Sequence, residues 1–200
     1  MADWIRSLVD GGGYLTIAFL MFLENVFPPI PSEVIMPLAG SSATDGRLSI
    51  IGVIAAGSAG SLAGALLWYA IGRKLGDERI KRWSAKHGRW LTLAPGDIEK
   101  AENWFGKHGT KAVFLARLVP TLRTLIAIPA GIFAMPLTKF IPLTFAGTLL
   151  WEGALALAGY KLGDQYQQIE KYLNPITTGI FVILVLYYLY RVITFRSDKT

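Results

Sequence analysis

Glu24-Asn25-Val26-Phe27-Pro28-Pro29-Ile30-Pro31-Ser32-Glu33 is the stretch that decides how this chain folds. Two carboxylates flank three prolines inside residues 14–43, which are otherwise apolar. A proline inside a helix removes a backbone donor and its ring clashes with the preceding turn, so this segment is not one straight helix. Its first arm, Tyr14 to Phe27, rises only about 21 Å at 1.5 Å per residue. That falls short of a hydrocarbon layer of roughly 30 Å. A re-entrant hairpin solves both problems: a helix enters, a tip made by Pro28, Pro29 and Pro31 turns, and a second helix leaves. Such backbone survives at membrane depth only when it is buried in protein or lines a wet cavity.

The rest of the sequence supports a membrane setting. The 200 residues are 52% hydrophobic and only 17% charged, with a positive mean hydropathy. That is too little charge to clothe so apolar a core in water. Residues 50–72 carry no charge and predict a transmembrane helix, in which Gly60-Ser61-Leu62-Ala63-Gly64 permits close packing. Residues 138–160 predict another, interrupted by Pro142 and carrying Glu152. Residues 176–195 predict a C-terminal transmembrane helix that ends in tyrosines 187, 188 and 190 and then Arg191 and Arg196, an aromatic belt followed by a cytoplasmic anchor. Residues 112–137 contain Arg117, Pro120, Arg123 and Pro129 and predict a second re-entrant hairpin, with Pro120 at its tip. The N-terminus lacks the small-residue cleavage site of a signal peptide and is expected to be retained.

Between the first transmembrane helix and the second hairpin lies a basic linker, residues 73–111, with ten Lys/Arg against five Asp/Glu. Asp97 is expected to cap a helix whose Ile98, Ala101, Trp104 and Phe105 share a face. The segment reads equally as an amphipathic membrane-surface element and as a packed loop. Its charge explains the formal net +6 through anionic lipid headgroups and not through nucleic acid. The linker and the C-terminus are therefore expected on the cytoplasmic side, and the N-terminal tail outside.

A repeat is also visible. Gly72-Arg73-Lys74-Leu75-Gly76-Asp77 recurs as Gly159-Tyr160-Lys161-Leu162-Gly163-Asp164, and Gly60-Ser61-Leu62 is echoed by Gly147-Thr148-Leu149. Pro37-Leu38-Ala39-Gly40 loosely matches Pro129-Ala130-Gly131 in the hairpins. Each hairpin returns to its own side and each following helix crosses once. Consecutive copies therefore have opposite orientation, an inverted repeat with its site expected at the midplane.

Four charges stand in apolar sequence at the hairpins: Glu24 and Glu33 on the first, Arg117 and Arg123 on the second. Each costs on the order of 2.5–3.5 kcal/mol at the membrane centre by insertion scales. Hairpins meeting tip to tip would neutralise them, with Glu33 and Arg123 taken as the pair for a double substitution. One reading is a set of buried ion pairs that only fix the hairpins, although such pairs rarely stabilise more than apolar replacements. The other is a polar cavity for an anion. Arginine matches phosphate through its planar fork, and a buried carboxylate can take up a proton. For Glu152 a local structural role and a functional one stand level.

An enzyme is not expected. The two histidines, His87 and His108, lie outside the predicted membrane segments, cysteine is absent, and no nucleophile accompanies the two acids. No cofactor and no metal site are expected.

The acidic proline stretch Glu24 to Glu33 resembles the signature of the DedA family, also called the VTT or SNARE-associated Golgi family. Phe105-Gly106-Lys107-His108-Gly109, followed by Arg117-Leu118-Val119-Pro120-Thr121-Leu122-Arg123, is similar to its second signature. Tyr69-Ala70-Ile71-Gly72-Arg73-Lys74-Leu75-Gly76 is similar to its helix-ending pattern. The resemblance covers nearly the whole chain, with Leu118 and Thr121 where phenylalanine and glycine are usual. It implies an all-α integral membrane protein of the bacterial inner membrane that carries lipid. The substrate would be undecaprenyl phosphate, moved with the help of the proton-motive force. By the same resemblance Glu24 and Glu33 are the essential, proton-coupling acids, and Arg117 and Arg123 are the essential, substrate-binding bases. A less selective phospholipid scramblase, a proton-coupled exporter of small cations or drugs, and a structural scaffold are the competing readings. Homo-oligomerisation is left open.

Overall fold

The computed structural model describes residues 2–27, 32–44, 46, 48–91 and 95–162. The prolines Pro28, Pro29 and Pro31 and the expected transmembrane helix at 176–195 lie outside the described residues. Within them the chain is all helical, with no strand. Two helices are long and apolar enough to cross a membrane, Ile50–Ile80 and Leu137–Leu162.

Helix α1, Ala2–Val26, is broken at Gly13, whose φ of 57° and ψ of −139° suit a residue without a Cβ. The Tyr14 hydroxyl, just past this break, accepts a 2.7 Å bond from the backbone N–H of Ser49. Helix α2, Ser32–Ser42, follows and is buried along almost all of its length despite Pro37 in its interior. Helix α3 runs from Ile50 to Leu91. The expected end at residue 72 is corrected: the helix continues through a left-handed Gly76 at φ 63° into the first half of the basic linker. The Lys, Arg and Glu of the linker are good helix formers, so polarity there does not end the helix.

Helix α4, Pro95–Ala116, takes up the rest of the linker and the first residues of the expected second hairpin. It starts on Pro95, a residue suited to a first helical position, so Asp97 lies in its first turn and does not precede it. The expected shared face also splits, because Phe105 is buried while Trp104 is 54% exposed. After a break at residues 117–119 come two short helices, α5 (Pro120–Leu125) and α6 (Ala127–Ile132). Helix α7, Leu137–Leu162, contains Pro142 without ending there.

The apolar side chains form two clusters. One joins Ile17, Met21, Ile35 and Met36 to Val53 of α3 and Ala156 of α7. The other joins Ala65 and Tyr69 of α3 to Val113, Ala127, Ala130 and Phe140. Between them, at mid-length of both long helices, lie Ser58 and Ser61 of α3 and Thr144, Thr148 and Glu152 of α7, all buried. The outside is the reverse, with Leu15 81%, Ile51 75% and Leu150 56% exposed. Polar groups inside and bare apolar groups outside suit a lipid surround and would be costly in water.

Each long helix is approached closely by a short one through a pair of glycines. A methyl at Gly40 of α2 would fall on the Ala156 carbonyl of α7, and one at Gly159 on the Pro37 carbonyl. A methyl at Gly131 of α6 would fall on the Tyr69 carbonyl of α3, and one at Gly72 on the Ile128 carbonyl. Pro37 and Ile128 each stand three residues before Gly40 and Gly131, as Tyr69 and Ala156 stand before Gly72 and Gly159. Helix α2 thus packs backbone to backbone on α7, and α6 on α3, through these glycines.

Candidate functional site

The four hairpin charges come from four different helices or breaks. Glu24 stands near the end of α1, Glu33 in the first turn of α2, Arg117 in the break just after α4, and Arg123 in the last turn of α5. Pro120 opens α5 with the extended Val119 before it, at φ −114° and ψ 118°. A proline there fixes the start of the new helix without losing a needed donor, and the short α5 then carries Arg123 inward.

Arg123 forms an ion pair with Glu24 through its Nη2 and donates from the same nitrogen to the Ser32 hydroxyl. An acid of the first segment and a base of the second thus meet through Glu24 and Arg123. All three partners are buried, Glu24 being 3%, Arg123 4% and Ser32 0% exposed. Arg117 is 1% exposed, and its Nε and Nη2 meet no hydrogen-bond partner among the described residues. Glu33 is half-buried. Glu24 feels the charges of Arg123, Glu33 and Arg117, while Arg117 feels Arg123, Glu152 and Glu24. The two hairpin segments therefore come together in one electrostatic cluster.

Glu152 joins them. It is 1% exposed, accepts a hydrogen bond from the Ser61 hydroxyl, and lies within the field of Arg123, Glu24 and Arg117. The sequence reading left its role undecided, and it missed Ser32, Ser61 and Asn25, the last of these 1% exposed. A signal for this layer does exist: Thr144, Thr148 and Glu152 recur every four residues and make a polar stripe on an apolar helix. Ser61 is harder to find, because it sits in a glycine-rich run that reads as packing.

The layer is rich in unspent polar capacity. Glu24 Oε2, Asn25 Oδ1, Ser58 Oγ, Arg123 Nε, Thr144 Oγ1 and Thr148 Oγ1 are buried and meet no hydrogen-bond partner among the described residues. Native interiors rarely leave so many groups unmet unless they serve water, an ion or a ligand. A separate cavity of about 300 Å³ lies between α4 and the α6–α7 turn, where Glu102, Phe105, Thr110, Met135 and Lys139 line it. It contains none of the buried charges, and Lys139 is exposed.

Comparison with known proteins can now be set beside this geometry. The VTT domain family model matches residues 30–161. The chain belongs to the VTT domain family. Among its relatives is a Lactococcus lactis subsp. lactis (strain IL1403) protein called alkaline phosphatase-like protein. It is 41% identical over 200 residues, covering 100% of this chain and 94% of its own. Undecaprenyl phosphate transporter A of Staphylococcus aureus is 34% identical over 199 residues, covering 100% of this chain and 98% of its own. The protein of the same name from Bacillus subtilis is 35% identical over 182 residues, covering 91% and 86%. No solved structure matches. Membership of this family is what the resemblance in the sequence led one to expect.

Proposed function

We propose that this chain is a lipid transporter that moves an isoprenoid lipid phosphate, undecaprenyl phosphate, across the bacterial cytoplasmic membrane. The headgroup crosses through the polar layer while the tail stays in the bilayer. The observation that carries the reading is the buried pair Arg117 and Arg123, whose unmet N–H groups offer charge-assisted donors to a phosphate. The relatives named undecaprenyl phosphate transporter A support the substrate class. Those names and VTT membership also point to a non-enzyme, against the phosphatase-like name of the Lactococcus relative.

In this reading Arg117 and Arg123 bind the headgroup, and Glu24 and Glu33 couple it to protons. Protonated Glu24 would release Arg123 to the phosphate, and ionised Glu24 would take it back. Residues 14–43 and 112–137 act as re-entrant hairpins of opposite orientation, each followed by a crossing helix. The segment 176–195 crosses last, with the basic linker and the C-terminus on the cytoplasmic side.

The test is transport by purified protein in liposomes, comparing a polyprenyl phosphate with an ordinary phospholipid, with and without a pH gradient. The expected result is selective, gradient-stimulated movement of the polyprenyl phosphate without release of inorganic phosphate. Equal movement of both lipids would favour a scramblase. Phosphate release would restore the enzyme reading.

A further inference from the structure

The buried charge that this transport reading leaves unused is Glu152. Its Oε1 accepts from the Ser61 hydroxyl, and its Oε2 meets no hydrogen-bond partner among the described residues. Oε2 lies beside Gly57 of α3, where a methyl would stand 3.2 Å from it and where the Met36 side chain also packs. The charged groups around it come from every side. Glu24 acts from α1, Arg117 from α4 and Arg123 from α5, while Glu33 of α2 acts on Glu24 beside it. Helix α3 faces it with the hydroxyl of Ser61. Tyr69, farther along α3, is engaged with the Met135 carbonyl.

The buried layer thus sets Glu24 and Glu152 against Arg117 and Arg123, with the half-buried Glu33 beside Glu24. Low-dielectric surroundings penalise an uncompensated charge heavily, so charge added to this layer has to be offset by protons or by a bound ion. Glu24 is tied to Arg123, a partner that favours its ionised form. It must surrender that arginine before it can hold a proton. Glu152 is not bound in this way. A serine hydroxyl donates to a carboxylate and accepts from a carboxylic acid, so Ser61 remains a partner in either state. A phosphate arriving at the arginines adds negative charge, and a proton on Glu152 offsets it.

We infer that Glu152, held by Ser61, is a further proton-coupling residue of the lipid-phosphate site. An O–H bond forms on its free carboxylate oxygen, with a proton taken from water, as the headgroup docks. That bond breaks and the proton returns to water as the headgroup leaves. The inference rests on the transport reading above, and its test separates the two. Infrared difference spectra of the purified full chain are recorded on adding a polyprenyl monophosphate. The wild type should gain a protonated-carboxyl band that is lost in Glu152→Gln and moved in Glu152→Asp. In liposomes Glu152→Gln should still bind the lipid but lose the response of transport to a pH gradient. A band unchanged in Glu152→Gln, or a gradient response equal to wild type, would overturn the inference. Were the wild type to move no lipid, the transport reading would fall, while the band would still decide whether Glu152 takes a proton when the headgroup binds.

Discussion

Replacing Arg123 with glutamine is the most informative single perturbation, because the structure fixes what it strands. Glu24 is 3% exposed, and its Oε2 already meets no partner among the described residues. The Oε1 bond to Arg123 is therefore the one that matches its charge. Losing that partner leaves an uncompensated buried carboxylate, at a cost of about 3–5 kcal/mol. For a chain of this length that corresponds to a fall in Tm of roughly 6–20 °C, readable by thermal unfolding in detergent. Adding Glu24→Gln removes the stranded charge and lets two amides face each other, so most of the lost stability should return. Transport should not return, since the anion's partner is gone. Arg123→Lys supplies a third point. It keeps the charge against Glu24 but loses the planar fork, so stability should stay near wild type while transport falls. A well-folded Glu24→Gln/Arg123→Gln variant that transports near-normally would refute the ligand-site reasoning and leave a purely structural ion pair.

Alanine at Gly40, Gly72, Gly131 or Gly159 should cost about 1–3 kcal/mol each, because the added methyl meets a neighbouring carbonyl and not a flexible side-chain end. Gly106→Ala, with nothing within 4 Å, should be neutral or slightly stabilising, and equal thermal shifts at all five sites would contradict the packing. For topology, thiol labels at Lys107 and Lys139 should be reached from the cytoplasmic side, and labels at Thr44 and Lys161 from the other. Labelling of Lys139 and Lys161 from one side would remove the crossing of α7.

The long helices and the buried charges were legible because they rest on strong local signals. An uncharged run long enough to span, a proline cluster and an arginine in apolar sequence each carry a large energetic cost, and few structures meet it. Boundaries were less legible. The linker was separated from α3 because its charges read as a change of element, yet charged residues with long side chains continue a helix readily. The helix instead runs on through a left-handed Gly76 to Leu91. Pairing was the least legible. Glu24 and Glu33 are both acids flanking one proline tip, and nothing local says which of them reaches Arg123. The answer depends on where the short α5 points after Pro120. Ser61 and Ser32 were missed for a related reason, since a serine in a helix that packs on glycines is ordinarily filler.

The placement of the charges follows from the way the two halves interlock. The glycine contacts tie α2 to α7 and α6 to α3, and Gly60 brings α3 close against the Ala18 carbonyl of α1. Gly147 likewise brings α7 against Arg117 and Phe114 of α4. Two groups result: α1, α3 and α6 in one, α2, α4 and α7 in the other, with α5 bridging them. Ser61 and Glu152 meet across that division, and Arg123 reaches Glu24 on one side and Ser32 on the other. Backbone-close contacts within a group admit no intervening molecule. Between the groups lie apolar contacts, such as Tyr69 stacked on Phe140 and Met36 packed with Val53, and a polar patch of hydroxyls, carboxylates and guanidiniums, whose partners water or a phosphate can replace with little loss. The charges thus occupy the polar part of that division among the described residues, and in the proposed function it is there that an anionic headgroup competes with the protein for its own hydrogen bonds. An apolar seam in the same place would have packed as well and offered the headgroup nothing.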